Sequence, residues 1–262
     1  MEDNRVDSTP AQRATSFGAV ASNYHTFRPG PPAEALDWIF PKPIDTVVDL
    51  GAGTGALTRL LLPVASTVVA VEPDLGMRSE LTRSLPGVTV LDGRGEAMPL
   101  ADDSADAIVA SSSWHWVDTE AGTSEAARVL RPGGTLAALW SGPDPDGSFM
   151  ATAQAALGSA EAGPVLEGTL SGRFTPDLAL DIPIGAPFSG VETEVFRWTM
   201  ALTADQLIGL LGTLSWVIVL PEDERRQLID TARRLLRDVL GIEGSVTADV
   251  DYRCTAFRCM RA

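Results

Sequence analysis

Asp49, Gly51, Gly53 and Gly55 follow the apolar pair Val47-Val48, an acidic residue with glycines on alternate positions beyond it. This is the composition of a buried strand turning sharply into a helix, and a main chain without Cβ atoms lets a ligand come into contact with it. Glu72 closes a second β-branched run, Thr67–Val71, 21 residues after Gly51. A carboxylate at the tip of a second parallel strand can accept both hydroxyls of a ribose. Gly51, Gly53 and Ala56 also satisfy the dinucleotide pattern G-x-G-x-x-G/A, so the loop by itself leaves a nicotinamide cofactor and other ribose-bearing cofactors open. A third candidate is His115, set between Trp114 and Trp116. Its ordinary pKa suits a general base; the plainer alternative is a histidine that anchors its loop while the tryptophans pack, and this is our choice.

These residues need a parallel sheet to bring them together. Strand-like runs at Ile44–Leu50, Thr67–Glu72, Val88–Leu91, Asp106–Ser111 and Thr135–Trp140 alternate with helical segments at Thr54–Leu62, Asp74–Leu85 and Thr119–Leu130. Such alternation predicts a sheet covered on both faces, with ligands at the carboxyl ends of its strands. Residues 1–16 read as a flexible polar tail. A helical pattern from Phe17 to Phe40, broken at Arg28-Pro29-Gly30-Pro31-Pro32, suits a lid over residues 17–43. The cofactor-binding core is expected at 44–140, an insertion with one short helix near Phe149–Leu157 at 141–189, and a part completing the sheet at 190–262. That last part reads as a strand at Val191–Met200, helices at Ala204–Leu214 and Pro221–Leu240, and a final strand at Asp249–Met260. Leu228, Ala232, Leu235, Leu236 and Val239 form one apolar stripe on the longer helix, which predicts a helix lying on the core.

Several further motifs come in order. They are Phe17-x-x-x-Ala21-x-x-Tyr24-x-x-x-Arg28-Pro29, Val71-Glu72-Pro73-Asp74 with Met77, Trp114-His115-Trp116-Val117-Asp118, and Glu125-Ala126-Ala127-Arg128-Val129-Leu130-Arg131-Pro132-Gly133-Gly134. With the glycine loop they make the chain closely resemble the class I S-adenosylmethionine-dependent methyltransferases, in particular the methyltransferase type 11 branch that includes trans-aconitate methyltransferase-like enzymes. The resemblance spans roughly residues 17–262. It implies a doubly wound, mostly parallel, Rossmann-like sheet of seven strands with an antiparallel final strand, and an N-terminal helical lid. It also implies that Asp49, Gly51, Gly53 and Gly55 hold the amino-acid end of S-adenosylmethionine, Glu72 and Pro73 its ribose, and Gly95 and Glu96 the adenine. Tyr24 and Arg28 would close over the cofactor. Arg94 departs from the family, which has an acidic or polar residue there; a guanidinium cannot accept from the adenine amino group. Ser111-Ser112-Ser113 replaces a more usual Gln-Ala approach to the histidine, and the acceptor pocket is expected at Ser112, Ser113, Trp114, Trp116 and Trp140. Trp198, Trp216 and Tyr252 are read as core residues.

Composition narrows the function. With 35 acidic against 20 basic residues the formal net charge is −15, which repels nucleic acid and anionic lipid. Lys42, flanked by prolines, is the single lysine, so Schiff-base chemistry lacks a candidate and the Tyr-x-x-x-Lys pair of many nicotinamide enzymes is missing. No G-x-S-x-G elbow points to a hydrolase. Cys254 and Cys259 are separated by an odd interval on a predicted strand, so they should point to opposite faces and form no disulfide. With only two histidines, no metal site is expected. No stretch approaches the roughly 18 apolar residues of a membrane span. The expectation is a cytoplasmic enzyme, monomer or homodimer, that uses S-adenosylmethionine, releases S-adenosylhomocysteine, and methylates a small molecule of secondary metabolism. The alternative is a protein of this fold that binds either ligand but catalyses a cyclisation or rearrangement, or only binds.

Overall fold

Seven strands form one sheet in the order β3-β2-β1-β4-β5-β7-β6. The structure, a computed structural model, describes residues 30–159, 178–218 and 220–262. β1 (Ile44–Leu50), β2 (Ala65–Val71), β3 (Thr89–Leu91), β4 (Ala105–Ser111) and β5 (Leu130–Pro143) run parallel, and β7 (Thr247–Met260) pairs antiparallel with both β5 and β6 (Glu192–Thr203). The predicted seven-stranded, mostly parallel sheet with an antiparallel final strand is therefore what forms. The order reverses between β1 and β4, since successive strands go to opposite sides of β1, and that switch opens a crevice at the carboxyl ends of the strands.

Helices α1 (Ala33–Ile39), α2 (Ala56–Leu61), α3 (Leu75–Ser84) and α4 (Thr119–Val129) precede or connect the parallel strands. Two core clusters mark the two faces of the sheet. One gathers Val48, Ile108, Leu136, Trp140 and Cys259, the other Val47, Val109, Leu139, Cys254 and Ala256. Neighbouring residues of one strand go to opposite clusters, as period-two alternation requires, and each fully buried Val or Leu is worth about 1.5–3 kcal/mol. The two cysteines are both buried and free, one in each cluster.

β5 is longer than expected: it starts at Leu130, which pairs with Ala105, and the register shifts before Ala107 meets Thr135. The Arg131-Pro132-Gly133-Gly134 segment thus belongs to the strand as an irregularity. After α5 (Ser148–Ser159), β6 and β7 enclose α6 (Ala204–Gly212), α7 (Ser215–Ile218) and α8 (Glu222–Arg234). The expected single helix to Leu240 instead widens into a π turn at Leu235–Val239. This wider turn rotates the phase of the stripe: Leu228, Ala232 and Leu236 are buried, whereas Val239 is 51% exposed. Val250 and Tyr252 of β7 pack with Leu202 and Leu210, beside the partly buried Trp198. The Trp198 and Tyr252 rings lie 5.4 Å apart, so both are core residues. The Trp216 side chain, the tail and the first part of the expected lid lie outside the described residues.

Candidate active site

Asp49 sits inside β1 one residue before its end, fully buried. Its Oδ2 accepts from Thr58 Oγ1 of α2 at 2.5 Å, and its Oδ1 has no partner. Burial, aided by the nearby charge of Glu72, pushes the carboxyl up to about 7 against the Thr58 hydrogen bond. A buried acceptor without a donor is costly, so this atom lacks something that carries one. Thr58 was not foreseen; the only signal was a threonine beside the apolar Leu57 and Leu61 of one helix.

The loop after β1 takes left-handed backbone at Gly51 (φ 67°) and Gly53 (φ 56°), where L side chains are strained. The two glycines differ in surroundings. A Cβ on Gly51 would collide with Ser113, whereas one on Gly53 would meet nothing within 4 Å. Gly53 therefore faces open space, and Gly55 caps α2. Thr54, between them, is buried with its hydroxyl unpartnered.

Glu72 follows β2 and is 5% exposed. Its Oε2 accepts from Gly53 N at 2.8 Å and its Oε1 from Asp74 N at 2.9 Å. Burial raises its pKa, opposed by those two amides. Arg78 on α3 donates to the Glu72 carbonyl and to both oxygens of Asp92 just past β3. Asp74 caps α3 by accepting from Met77 N, so the Val71–Asp74 motif has one carboxylate that holds the glycine loop and one that caps a helix; Pro73 between them is half-buried.

Gly95 and Glu96 lie in the loop after β3. Gly95 is buried, with room for no Cβ because Val117 is 2.6 Å from where it would be. The Glu96 carboxylate accepts from Asp118 N at 2.8 Å, so it ties this loop to the start of α4. Arg94 is exposed and pairs with Ala97 through the backbone. The longer motif explains the rest of this loop: Glu125 accepts from Met98 N, and Arg128 donates to Glu125, Asp102 and the carbonyls of Met98 and Leu100. That motif is a clamp, with the Glu125 carboxyl held below its usual range chiefly by the Arg128 hydrogen bond.

The segment after β4 carries the acceptor candidates. Ser112 has φ 52°, rare for a residue with a Cβ, and its amide donates to Leu139 O at 2.8 Å. Ser113 Oγ donates to Leu50 O at 2.6 Å, which joins the ends of β4 and β1. A 3-10 turn, Trp114–Trp116, follows. Trp114 is 3% exposed and packs in the core; the expectation that it lines the pocket is corrected, because its side chain faces α4 beneath the turn, near Gly122. Trp116 is half-buried and His115 is exposed, their rings 4.5 Å apart. Trp140 of β5 donates its indole N–H to His115 Nδ1 at 3.1 Å and packs edge-on against Phe257.

The structure thus brings Asp49, the glycine loop and Glu72 together, and links them to Ser113 and the His115–Trp140 pair at the same end of the sheet. Tyr24 and Arg28 lie outside the described residues. A cavity of about 530 Å³ between residues 179–191, Thr193 and Phe257 contains none of the predicted site residues. Among the described residues no helix is long and apolar enough to cross a membrane, and no group of three or more His, Cys, Asp or Glu is placed to hold a metal.

Comparison with known proteins shows the family and the fold. Residues 48–138 match the family model described as a methyltransferase domain. An uncharacterized methyltransferase of Mycobacterium tuberculosis is 37% identical over 222 residues, 84% of this chain and 85% of that one. An uncharacterized methyltransferase of Schizosaccharomyces pombe is 23% identical over 247 residues, covering 92% of this chain and 95% of its own. Among solved structures, a protein assigned as a type II methyltransferase from Anaeromyxobacter dehalogenans superposes with a TM-score of 0.61 at 22% identity, over 90% of this chain and 98% of that one. A Haemonchus contortus N-methyltransferase in complex with phosphomonomethylethanolamine and S-adenosylhomocysteine gives a TM-score of 0.52 at 14% identity, over 96% of this chain and 59% of that one.

Proposed function

Since the chain belongs to the class I S-adenosylmethionine-dependent methyltransferases, we propose that it transfers a methyl group to a small-molecule acceptor by in-line displacement. The carrying observation is Asp49 Oδ1, a buried carboxylate oxygen without a donor directly before a loop whose Gly53 faces open space. S-Adenosylmethionine, when bound, supplies a methyl group made electrophilic by a sulfonium. Its amino-acid end brings an ammonium, the donor that Asp49 Oδ1 lacks.

Each carboxylate oxygen has more than one lone pair. Glu72 can therefore keep the amides of Gly53 and Asp74 and accept ribose hydroxyls as well. Thr54, with its buried hydroxyl, is a second polar group available to the cofactor. Displacement at a methyl carbon needs no metal and no covalent enzyme intermediate, so this chain's task is to align two reactants and exclude water. Ser113 contributes by fixing the β4 end, which leads into His115, against the β1 end, which leads into the glycine loop.

The net charge of −15 and the absence of a lysine-rich surface favour a small acceptor over nucleic acid. Cytoplasmic action and a place in secondary metabolism belong to the same proposal. Calorimetry with S-adenosylhomocysteine tests the cofactor site, and transfer of an isotope-labelled methyl group to a panel of organic acids and phenols tests the acceptor class. Absence of binding by well-folded protein would overturn the reading.

A further inference from the structure

Trp140 lies on β5 and His115 on the turn that follows β4, and the contact between them has a chemical direction. Indole nitrogen is a donor only, so the imidazole nitrogen facing it at 3.1 Å must present a lone pair. From this we infer that Trp140 is a positioning residue that fixes the tautomer of His115, with the proton on Nε2 and not on Nδ1. His115 then serves the reaction as a hydrogen-bond donor, not as a base.

The surroundings hold this arrangement. Trp140 is 8% exposed and set edge-on against Phe257, and its backbone pairs with Thr255 of β7. The indole cannot turn away without losing that packing. His115 lies on a turn whose preceding residues, Ser112 and Ser113, are bonded to Leu139 O and Leu50 O. Protonating Nδ1 would set two N–H groups head to head and break the bond.

The consequence for the substrate rests on the methyl-transfer reading above. A ring that offers N–H recognises an oxygen, and it cannot take that oxygen's proton. The acceptor is therefore an oxygen acid that arrives as its anion. An oxygen lone pair forms the new O–C bond while the C–S bond breaks onto sulfur, the sulfonium charge is neutralised, and no proton moves to His115.

Nitrogen-15 spectra of protein labelled at histidine test this without cofactor or acceptor. The chain has two histidines, so the spectrum of His115→Gln assigns the other imidazole by subtraction. Above the ordinary titration range of imidazole, His115 should show a protonated Nε2 and an unprotonated Nδ1. In Trp140→Phe, which keeps an aromatic ring against Phe257, the two nitrogens should move toward averaged shifts as both tautomers become populated. A protonated Nδ1 in the unaltered protein overturns the inference, and that spectrum decides even where Trp140→Phe does not fold. Folded Trp140→Phe with unchanged His115 shifts would also overturn it. Failure of S-adenosylhomocysteine to bind would instead remove the methyl-transfer reading and leave the tautomer standing.

Discussion

Glu72 Oε2 accepts the Gly53 amide at 2.8 Å, so the carboxylate assigned to ribose also holds the loop assigned to the amino-acid end. The end of β2 and the glycine loop are coupled through this bond. Replacing Glu72 by Ala should weaken S-adenosylhomocysteine by about 1.5–3 kcal/mol, the worth of charge-assisted hydrogen bonds. Calorimetry measures it; unchanged affinity would remove Glu72 from the site.

Gly51 and Gly53 should respond differently to a side chain. Ala at Gly51 meets Ser113 and a left-handed backbone together, so its main effect is on folding and the melting temperature falls. Val at Gly53 has space in the free protein, and strain at φ 56° costs roughly 1–2 kcal/mol of stability. Its larger effect is loss of cofactor binding, since the side chain fills the volume the ligand needs. Thermal melts with and without S-adenosylhomocysteine separate the two.

Asp49 makes stability depend on pH with a definite sign. Its folded pKa, about 7, lies above the 3.8 of an ordinary aspartate, so the folded state binds the proton more tightly than the unfolded one. The stabilisation is complete below about pH 4 and is lost as pH rises through about 7. Denaturant titrations should show this decline in the unaltered protein and not in Asp49→Asn. A cofactor ammonium favours the ionised form, so binding should release a proton between these pH values, measurable as a buffer-dependent heat.

Arg128 should matter for the fold and not for binding. Arg128→Ala removes donors to Glu125, Asp102 and two carbonyls, and a loss of about 1–3 kcal/mol is expected, discounted because the group is partly solvated. Urea denaturation checks the loss. An S-adenosylhomocysteine affinity lowered more than tenfold would show that the clamp also shapes the pocket.

For His115, Gln in its place should retain most of the chemical step, because no proton is taken up there. A fall of about 10²–10⁴-fold in single-turnover rate at unchanged stability, the usual loss on removing a base, would reverse that assignment. The expected cost is a higher KM or a lower melting temperature.

The parallel half of the fold was legible because its strands are short apolar runs, β-branched in β1 and β2, and each helix after a strand starts at a glycine or a capping aspartate. Asp49, the glycine loop and Glu72 were legible because their spacing follows from that strand–turn–helix geometry. What pattern reading could not supply was partnership across distance. Nothing near Ser113 in sequence announces that it bonds to Leu50 O, and Trp140 lies 25 residues from the histidine it donates to. Trp114 was misread for the same reason, since alternating aromatics in a short turn do not reveal which ring faces inward. The π turn after Arg234 was hidden because its apolar residues satisfy an ordinary helical period.

The bond from Ser113 to the end of β1 also limits how this enzyme can be redesigned. Ser113 rests on Gly51 and holds Leu50, so any replacement there disturbs the cofactor loop as well as the acceptor loop. Libraries aimed at new acceptors should leave this joint alone and vary the side chains beyond it, at Trp116 above all, which takes no part in the Ser113 bond. Among the described residues, Ser113 is the pin that holds the two loops in register, and changes beyond it leave that pin in place.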